Sequence, residues 1–345
     1  MALNTPQKMN IRRVMLWPFG QLYGVVAQLR RKWFTASHKR SKGDIPAVVV
    51  GNLTVGGTGK TPFVIWLTQQ LTALHPAVLS RGYGRNTSGF MEVLAEGLAS
   101  EFGDEPLEVK QSLGASSAVY VCENRVLGIS TIQKQRPSAA CVVLDDGFQH
   151  LPLLPDMAIL LCDYNRPFWL DAPMPAGNLR EFPSAATYAQ AIVVTKCPAD
   201  LSSAEAGQLR KRLEGYSEHV FFAHYASVGP VNDMGETLPV GAKVVAVSAL
   251  AQNQAFIRGI QSQFEVCESF GYRDHHRFDE KDIQDWTAAQ RAQGADYLLT
   301  TRKDWMRMRP LHPAPQSVFY LFTEVNFLFN GEKQLIDLLL KQIQR

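Results

Sequence analysis

Residues 48–62 read Val48-Val49-Val50-Gly51-Asn52-Leu53-Thr54-Val55-Gly56-Gly57-Thr58-Gly59-Lys60-Thr61-Pro62. An apolar, β-branched run ends in a glycine-rich turn. A Lys-Thr pair follows, and the next residues are compatible with a helix. This is the order required of a phosphate-binding loop. Glycines let backbone N–H groups turn inward around phosphate oxygens, and the helix N-terminus adds partial positive charge. Gly56, Gly57, Thr58, Gly59, Lys60 and Thr61 are therefore the expected nucleotide contacts. Lys60 is expected to reach the β- and γ-phosphates, and the Thr61 hydroxyl to ligate Mg²⁺. One departure is plain. The usual pattern carries a glycine five residues before Gly59, where this chain has Thr54.

Outward from the loop, other short apolar runs read as strands buried on both faces: Ala77–Leu79, Val119–Cys122, Cys141–Leu144, Ala158–Leu161 and Ala191–Thr195. Further runs follow at Val220–Ala223, Lys243–Val247, Tyr297–Thr300 and Val318–Phe322. The expected fold class is α/β: a P-loop NTPase-type, mostly parallel sheet flanked by helices, with a smaller second α/β domain. Residues 224–242 are rich in Gly, Pro, Asn and Asp and read as loop or linker. The expected division is an arm over 1–44, a P-loop core over 45–215, a smaller domain over 216–325 and a helix over 326–345 that packs back on the core.

The run Cys141-Val142-Val143-Leu144 ends in Asp145-Asp146, the carboxylates that Mg²⁺ needs opposite a phosphate loop. A guanine-reading GTPase is disfavoured. Thr195-Lys196-Cys197-Pro198-Ala199-Asp200 has its acid four residues after the lysine instead of two, and Asp145-Asp146-Gly147 is misspaced for a switch.

The formal charge of +3 on 345 residues hides an asymmetry. Before Asp44 the chain carries Lys8, Arg12, Arg13, Arg30, Arg31, Lys32, Lys39, Arg40 and Lys42 and no acid; the remainder is net −6. Residues 14–29 are uncharged, but they are shorter than the roughly 20 residues of a spanning helix. They also lack a cleavage-site pattern. Apolar residues at helical spacing, with Trp17, Tyr23 and Trp33 and flanking cations, predict a helix lying at a membrane surface. No nucleic-acid-binding motif accompanies the basic arm. The odd set Cys122, Cys141, Cys162, Cys197 and Cys267 points to reduced thiols and a cytoplasmic protein.

Acids and cations elsewhere are individually ambiguous: Gly103-Asp104-Glu105-Pro106, Asp274-His275-His276, Phe148-Gln149-His150, Asn178-Leu179-Arg180-Glu181, and arginines at 81 and 125. A kinase acting on a hydroxyl needs an orienting base among them. Two other readings stay open on these residues: a P-loop kinase for a small soluble metabolite, and a partner-regulated NTPase.

Taken in order, these segments resemble the tetraacyldisaccharide 4′-kinase family. The resemblance rests on Val50-Gly51-Asn52 with the glycine loop, Ser80-Arg81-Gly82-Tyr83-Gly84, Gly103-Asp104-Glu105-Pro106, Leu144 through His150, Gly177 through Glu181, Asp274-His275-His276 and Thr300-Thr301-Arg302-Lys303-Asp304. It implies phosphorylation by ATP of the 4′-hydroxyl of an acylated glucosamine disaccharide 1-phosphate, giving lipid IVA. The cytoplasmic face of a bacterial inner membrane is the implied location, with peripheral or monotopic attachment and no obligate protein partner evident. It further implies Asp104 as general base with His275 as its dyad partner. Asp145, Asp146 and Glu105 would stand at the metal, and Arg81, Arg125, Gln149, His150, Arg180 and Glu181 at the substrate. In the last segment the family often has an acid before the lysine, where this chain has Arg302.

Overall fold

A computed structural model describes residues 11–37, 39–250, 253–273, 276–311 and 313–344, without the side chains of Arg12 and Ala255. Asp274 and His275 lie outside the described residues. The strands, in chain order, are β1 (Ser41–Lys42), β2 (Ala47–Asn52), β3 (Ala77–Ser80), β4 (Met91–Glu92), β5 (Ala118–Val121), β6 (Val142–Asp145), β7 (Leu153–Leu154), β8 (Met157–Asp163), β9 (Ala191–Thr195), β10 (Val220–Val231), β11 (Lys243–Ser248), β12 (Glu265–Gly271), β13 (Tyr297–Thr301) and β14 (Val318–Phe327). The helices are α1 (Ile11–Ala36), α2 (Lys60–Gln70), α3 (Ala99–Phe102), α4 (Asp104–Leu113), α5 (Arg125–Gln135), α6 (Ser203–Leu213), α7 (Asn253–Ile260), α8 (Glu280–Gln293), α9 (Arg302–Met308) and α10 (Gly331–Ile343).

One sheet runs β12-β11-β13-β14-β10-β9-β8-β2-β6-β3-β5-β4. Its neighbours are parallel except at β10–β14 and β4–β5. Every residue of β2, β3, β5, β6, β8 and β9 is buried, as continuous apolar runs covered on both faces should be. Alternation sends Val49, Leu79 and Leu144 to the face that holds Ile129 of α5. Val48, Val50 and Val143 go to the face that holds Phe63 of α2 and Leu107 of α4. Leu335 and Leu339 of α10 are buried in this second cluster. The block built on β11, β13 and β14 has its own two cores, one around Trp286 and one around Phe264.

The loop expected over 224–242 holds for 232–242 and is corrected for 224–231. β10 continues to Val231, paired antiparallel with β14 from Ala223↔Phe327 onward, with a bulge between Val228 and Val231. Gly229 and Pro230 mimic a loop signal, but they fall in the bulge, where an irregular ladder tolerates them. The edge strand β12 (EVCESFG) carries no continuous apolar run in its sequence, being half exposed and charged.

α1 lies along the body. Gly20 and Gly24 permit the approach: a Cβ would come within 2.7 Å of the Pro173 carbonyl at the first and 2.5 Å of the Phe182 ring at the second. Met15, Phe19, Leu22, Val26, Leu29 and Trp33, spaced four and three residues apart, are all exposed. Among the described residues no helix is long and apolar enough to cross a membrane.

Candidate active site at the glycine loop

The C-terminal ends of parallel strands gather the site, the usual place for a ligand in such sheets. β2 pairs with β6 so that Val50 stands beside Asp145. The chain leaving β2 turns through Gly56 (φ 91°) and Gly59 (φ 84°) into α2, which starts at Lys60. These backbone angles favour glycine. Gly59 is doubly constrained, because a Cβ there would meet the Tyr225 ring at 2.2 Å. Thr54 needs no such freedom. It is buried and forms an antiparallel bridge with Leu179, while Val55 N donates to the Asn178 carbonyl at 2.8 Å. The absent first glycine is thus replaced by backbone pairing with the 178–180 loop.

Asn52, fully buried at the end of β2, organises the loop. Its Nδ2 donates to the Thr54 carbonyl at 2.7 Å and to Thr58 Oγ1 at 2.8 Å, and its Oδ1 accepts from Lys60 Nζ at 3.3 Å. Thr195 Oγ1 donates to the Thr58 carbonyl at 2.9 Å. Tyr225 OH donates to the Gly59 carbonyl at 2.9 Å. Lys196 donates to the Gly57 carbonyl and pairs with Asp163 at 2.8 Å. The segment that resembled a guanine-reading element therefore braces the loop from outside. No sequence motif marks Asn52, Thr195, Lys196 or Tyr225 for this role. For Asn52 the signal was a polar residue closing an apolar strand.

Opposite the loop stand the two acids. Asp146, at φ 51°, accepts from Arg180 NH1 through both oxygens at 2.8 Å and lies 3.8 Å from Lys60 Nζ. Burial would raise its carboxyl, but Lys60 and Arg180 outweigh that and hold it below the ordinary carboxylate range. Arg180 NH1 also donates to Gln149 Oε1 at 3.2 Å, and Gln149 Nε2 donates to the Asn52 carbonyl at 3.1 Å. Asp145 is different. It is buried, and neither oxygen has a hydrogen-bond partner. Burial, with Glu105 adding, pushes it up to about 7, while Lys60 and Arg125 oppose. A buried carboxylate with no partner is costly to leave so, and its place opposite a phosphate loop suits a hard cation. Among the described residues no three His, Cys, Asp or Glu are grouped as a metal cage. Mg²⁺ carried with phosphates needs only one or two carboxylates.

A chain match over residues 12–344 identifies the family model for LpxK, described as tetraacyldisaccharide-1-P 4′-kinase. This chain belongs to that family. Similar proteins include the tetraacyldisaccharide 4′-kinase of Cytophaga hutchinsonii, 35% identical over 87% of this chain and 86% of that one. The tetraacyldisaccharide 4′-kinase of Porphyromonas gingivalis is 34% identical over 97% and 99%. The crystal structure of LpxK from Aquifex aeolicus in complex with ATP superposes with a TM-score of 0.75 at 27% identity, covering 96% of this chain and 99% of that one.

Within this kinase-family site, Arg125, the first residue of α5, is buried with its Nε unpartnered; burial and then Arg81 lower its basicity. His150 Nε2 is also buried without a partner, and burial together with Arg125, Arg30 and Arg81 lowers the ring to about 4. His150 is thus neutral at pH 7 within a cationic cluster. Asp104 and Glu105 open α4 after Gly103 (φ 93°), where a Cβ would meet the Tyr83 carbonyl at 2.9 Å. Acids in the first turn also suit the helix dipole.

Glu181, expected at the substrate, is buried, and both its oxygens are held by Arg31 of α1 at 2.6 Å. It anchors the arm. Arg302, the departure near Lys303, opens α9 after the Thr301 cap and lies over the Tyr320 ring at 5.9 Å.

Proposed function

We propose that this chain transfers the γ-phosphoryl group of ATP to the 4′-hydroxyl of a tetraacyldisaccharide 1-phosphate, giving lipid IVA. The observation that carries the reading at the level of this chain's residues is the buried, unpartnered Asp145 facing Lys60 across the glycine loop. Asp145, with Thr61 and with Glu105 or Asp146, would hold Mg²⁺, which when bound neutralises charge on the phosphates. Gly56 through Thr61 cradle the phosphates, and Lys60 supplies a fixed cation where negative charge builds.

Asp104 receives the proton of the acceptor hydroxyl, and His275 orients it as dyad partner. Arg81, Arg125, Gln149, His150 and Arg180 contact substrate oxygens. Neutral His150 can donate one hydrogen bond and accept another without adding charge. The six-residue exposed stripe of α1 enters the headgroup region of the cytoplasmic leaflet, which brings the site to a lipid acceptor. That arm, at residues 1–44, serves a P-loop core over 45–215 and a smaller block over 216–325. A soluble metabolite kinase would leave this stripe without use.

The test is purified protein with γ-labelled ATP, Mg²⁺ and the tetraacyldisaccharide 1-phosphate in detergent, beside Lys60→Ala and Asp104→Ala. Label on the lipid, lost in both variants, is expected. ATP hydrolysis with no labelled lipid would remove the lipid kinase reading.

A further inference from the structure

α9 carries a side chain that no motif pointed to. Arg307 Nε donates to Asp104 Oδ2 at 2.7 Å, and its NH2 reaches the same oxygen at 2.5 Å. NH1 donates to Asp304 Oδ1 at 3.3 Å. Asp304 is itself fixed: fully buried, its Oδ2 accepts from Ala249 N at 3.0 Å and from Thr301 Oγ1 at 2.8 Å. A continuous set of contacts therefore runs from the ends of β11 and β13, through Asp304 and Arg307, to the first residue of α4. Arg307 lies 203 residues from Asp104 in sequence and belongs to the other block of the sheet. One turn along α4, Glu108 faces Arg302 and Lys303 of α9, so charge lines both sides of the α4–α9 seam.

A carboxylate on the first turn of a helix can occupy several rotamers. A planar guanidinium fork selects among them, because its charge-assisted bonds are directional. Orientation matters for a base, since a displacement of about 1 Å can cost on the order of 100-fold in rate. We propose that Arg307 is a positioning residue: anchored by Asp304, it reaches across the seam and holds Asp104 in the orientation that meets the acceptor hydroxyl. The proposal rests on the reading of Asp104 as the base. Asp104 is 24% exposed at its side chain while Arg307 is 7% exposed, so the grip is built from the buried side toward an accessible carboxylate.

The experiment compares wild type, Arg307→Ala, Arg307→Lys, Asp104→Ala and the Arg307→Ala/Asp104→Ala double variant, with the tetraacyldisaccharide 1-phosphate as acceptor. Arg307→Ala is expected to lower kcat by about 10- to 100-fold, with KM for ATP within about twofold. Arg307→Lys should restore part of the loss, and the double variant should be no slower than Asp104→Ala alone. An unchanged kcat, or a further fall of the same size in the Asp104→Ala background, overturns the proposal. If wild type fails to phosphorylate the lipid, the function reading fails separately. Hydrogen exchange at the amides of residues 104–107 then decides the positioning: faster exchange in Arg307→Ala supports it, and unchanged exchange overturns it.

Discussion

Two arginines from opposite ends of the chain grip carboxylates beside the glycine loop, and they are built for different ends. Arg31 of α1 holds Glu181 through two bonds of 2.6 Å and the Phe148 carbonyl at 2.9 Å, and lies over the Phe148 and Tyr188 rings at 4.8 and 5.0 Å. Both members of that pair are almost fully buried, at 6% and 7% exposure. Arg307 of α9 is as buried as Arg31, but its partner Asp104 opens to solvent. A pair closed on both sides fixes one piece of structure to another, whereas a pair closed on one side leaves its carboxylate accessible from solvent. Glu181 follows Arg180, which binds Asp146, so the arm's anchor adjoins the acidic cluster directly.

The comparison breaks most visibly at Arg31. Arg31→Ala leaves Glu181 buried without a counter-charge, and removing one partner of a buried pair typically costs about 3–5 kcal/mol. Urea denaturation should show this loss, and Glu181→Ala in the same chain should recover part of it. An unchanged midpoint would mean that the anchor is dispensable. A smaller effect is expected where the arm's backbone meets the body. Gly20→Ala gains about 1 kcal/mol of helix propensity, but its Cβ would press on the Pro173 carbonyl, and such overpacking costs about 1–3 kcal/mol. A net loss near 1 kcal/mol should appear in the same denaturation series.

Arg307→Ala sharpens the contrast from the other side. Asp104 is partly solvated, and buried Asp304 loses the Arg307 bond but keeps those from Ala249 N and Thr301 Oγ1, so stability should fall by about 1.5–3 kcal/mol, less than for Arg31→Ala, even as kcat drops. A loss as large as that of Arg31→Ala would erase the distinction between anchor and positioner. The smallest effect concerns acid. Burial and the surrounding arginines lower His150 from 6.5 to about 4. Between those values the unfolded chain binds a proton that the folded chain does not. The stability contributed by the neutral ring is present above about pH 6.5 and is lost as pH falls toward 4. Partial exposure and salt screen it. The melting temperature of His150→Gln should fall less steeply than wild type between pH 7 and 5, and parallel slopes would exclude His150 as a contributor.

Reading the sequence succeeded where one stretch of chain carries its own physics. Val48 through Thr61 are a buried strand, a turn needing left-handed backbone at Gly56 and Gly59, and a helix start. Asp145 at the end of an apolar strand is equally local, as is the four-three spacing of the exposed face of α1. The apolar run at Ala191–Thr195 matches its strand to the residue. Reading was poorer where a residue's meaning depends on a distant partner. Gly229 and Pro230 look like a loop until β14 pairs alongside them, and Thr54 looks like a defect until Leu179 bridges to it.

The amino-acid sequence alone therefore determined the sheet's buried strands, the phosphate loop and the family's ordered segments, because hydrophobic period and backbone permissiveness act over a few neighbouring residues. Only the tertiary structure decided that Glu181 belongs to Arg31, that Lys196 braces the loop and that Arg307 reaches Asp104. Charged side chains are ordinarily solvated, so nothing local distinguishes the few that pair across 139 to 203 residues of chain. Burial selects them, and burial exists only once the sheet has assembled.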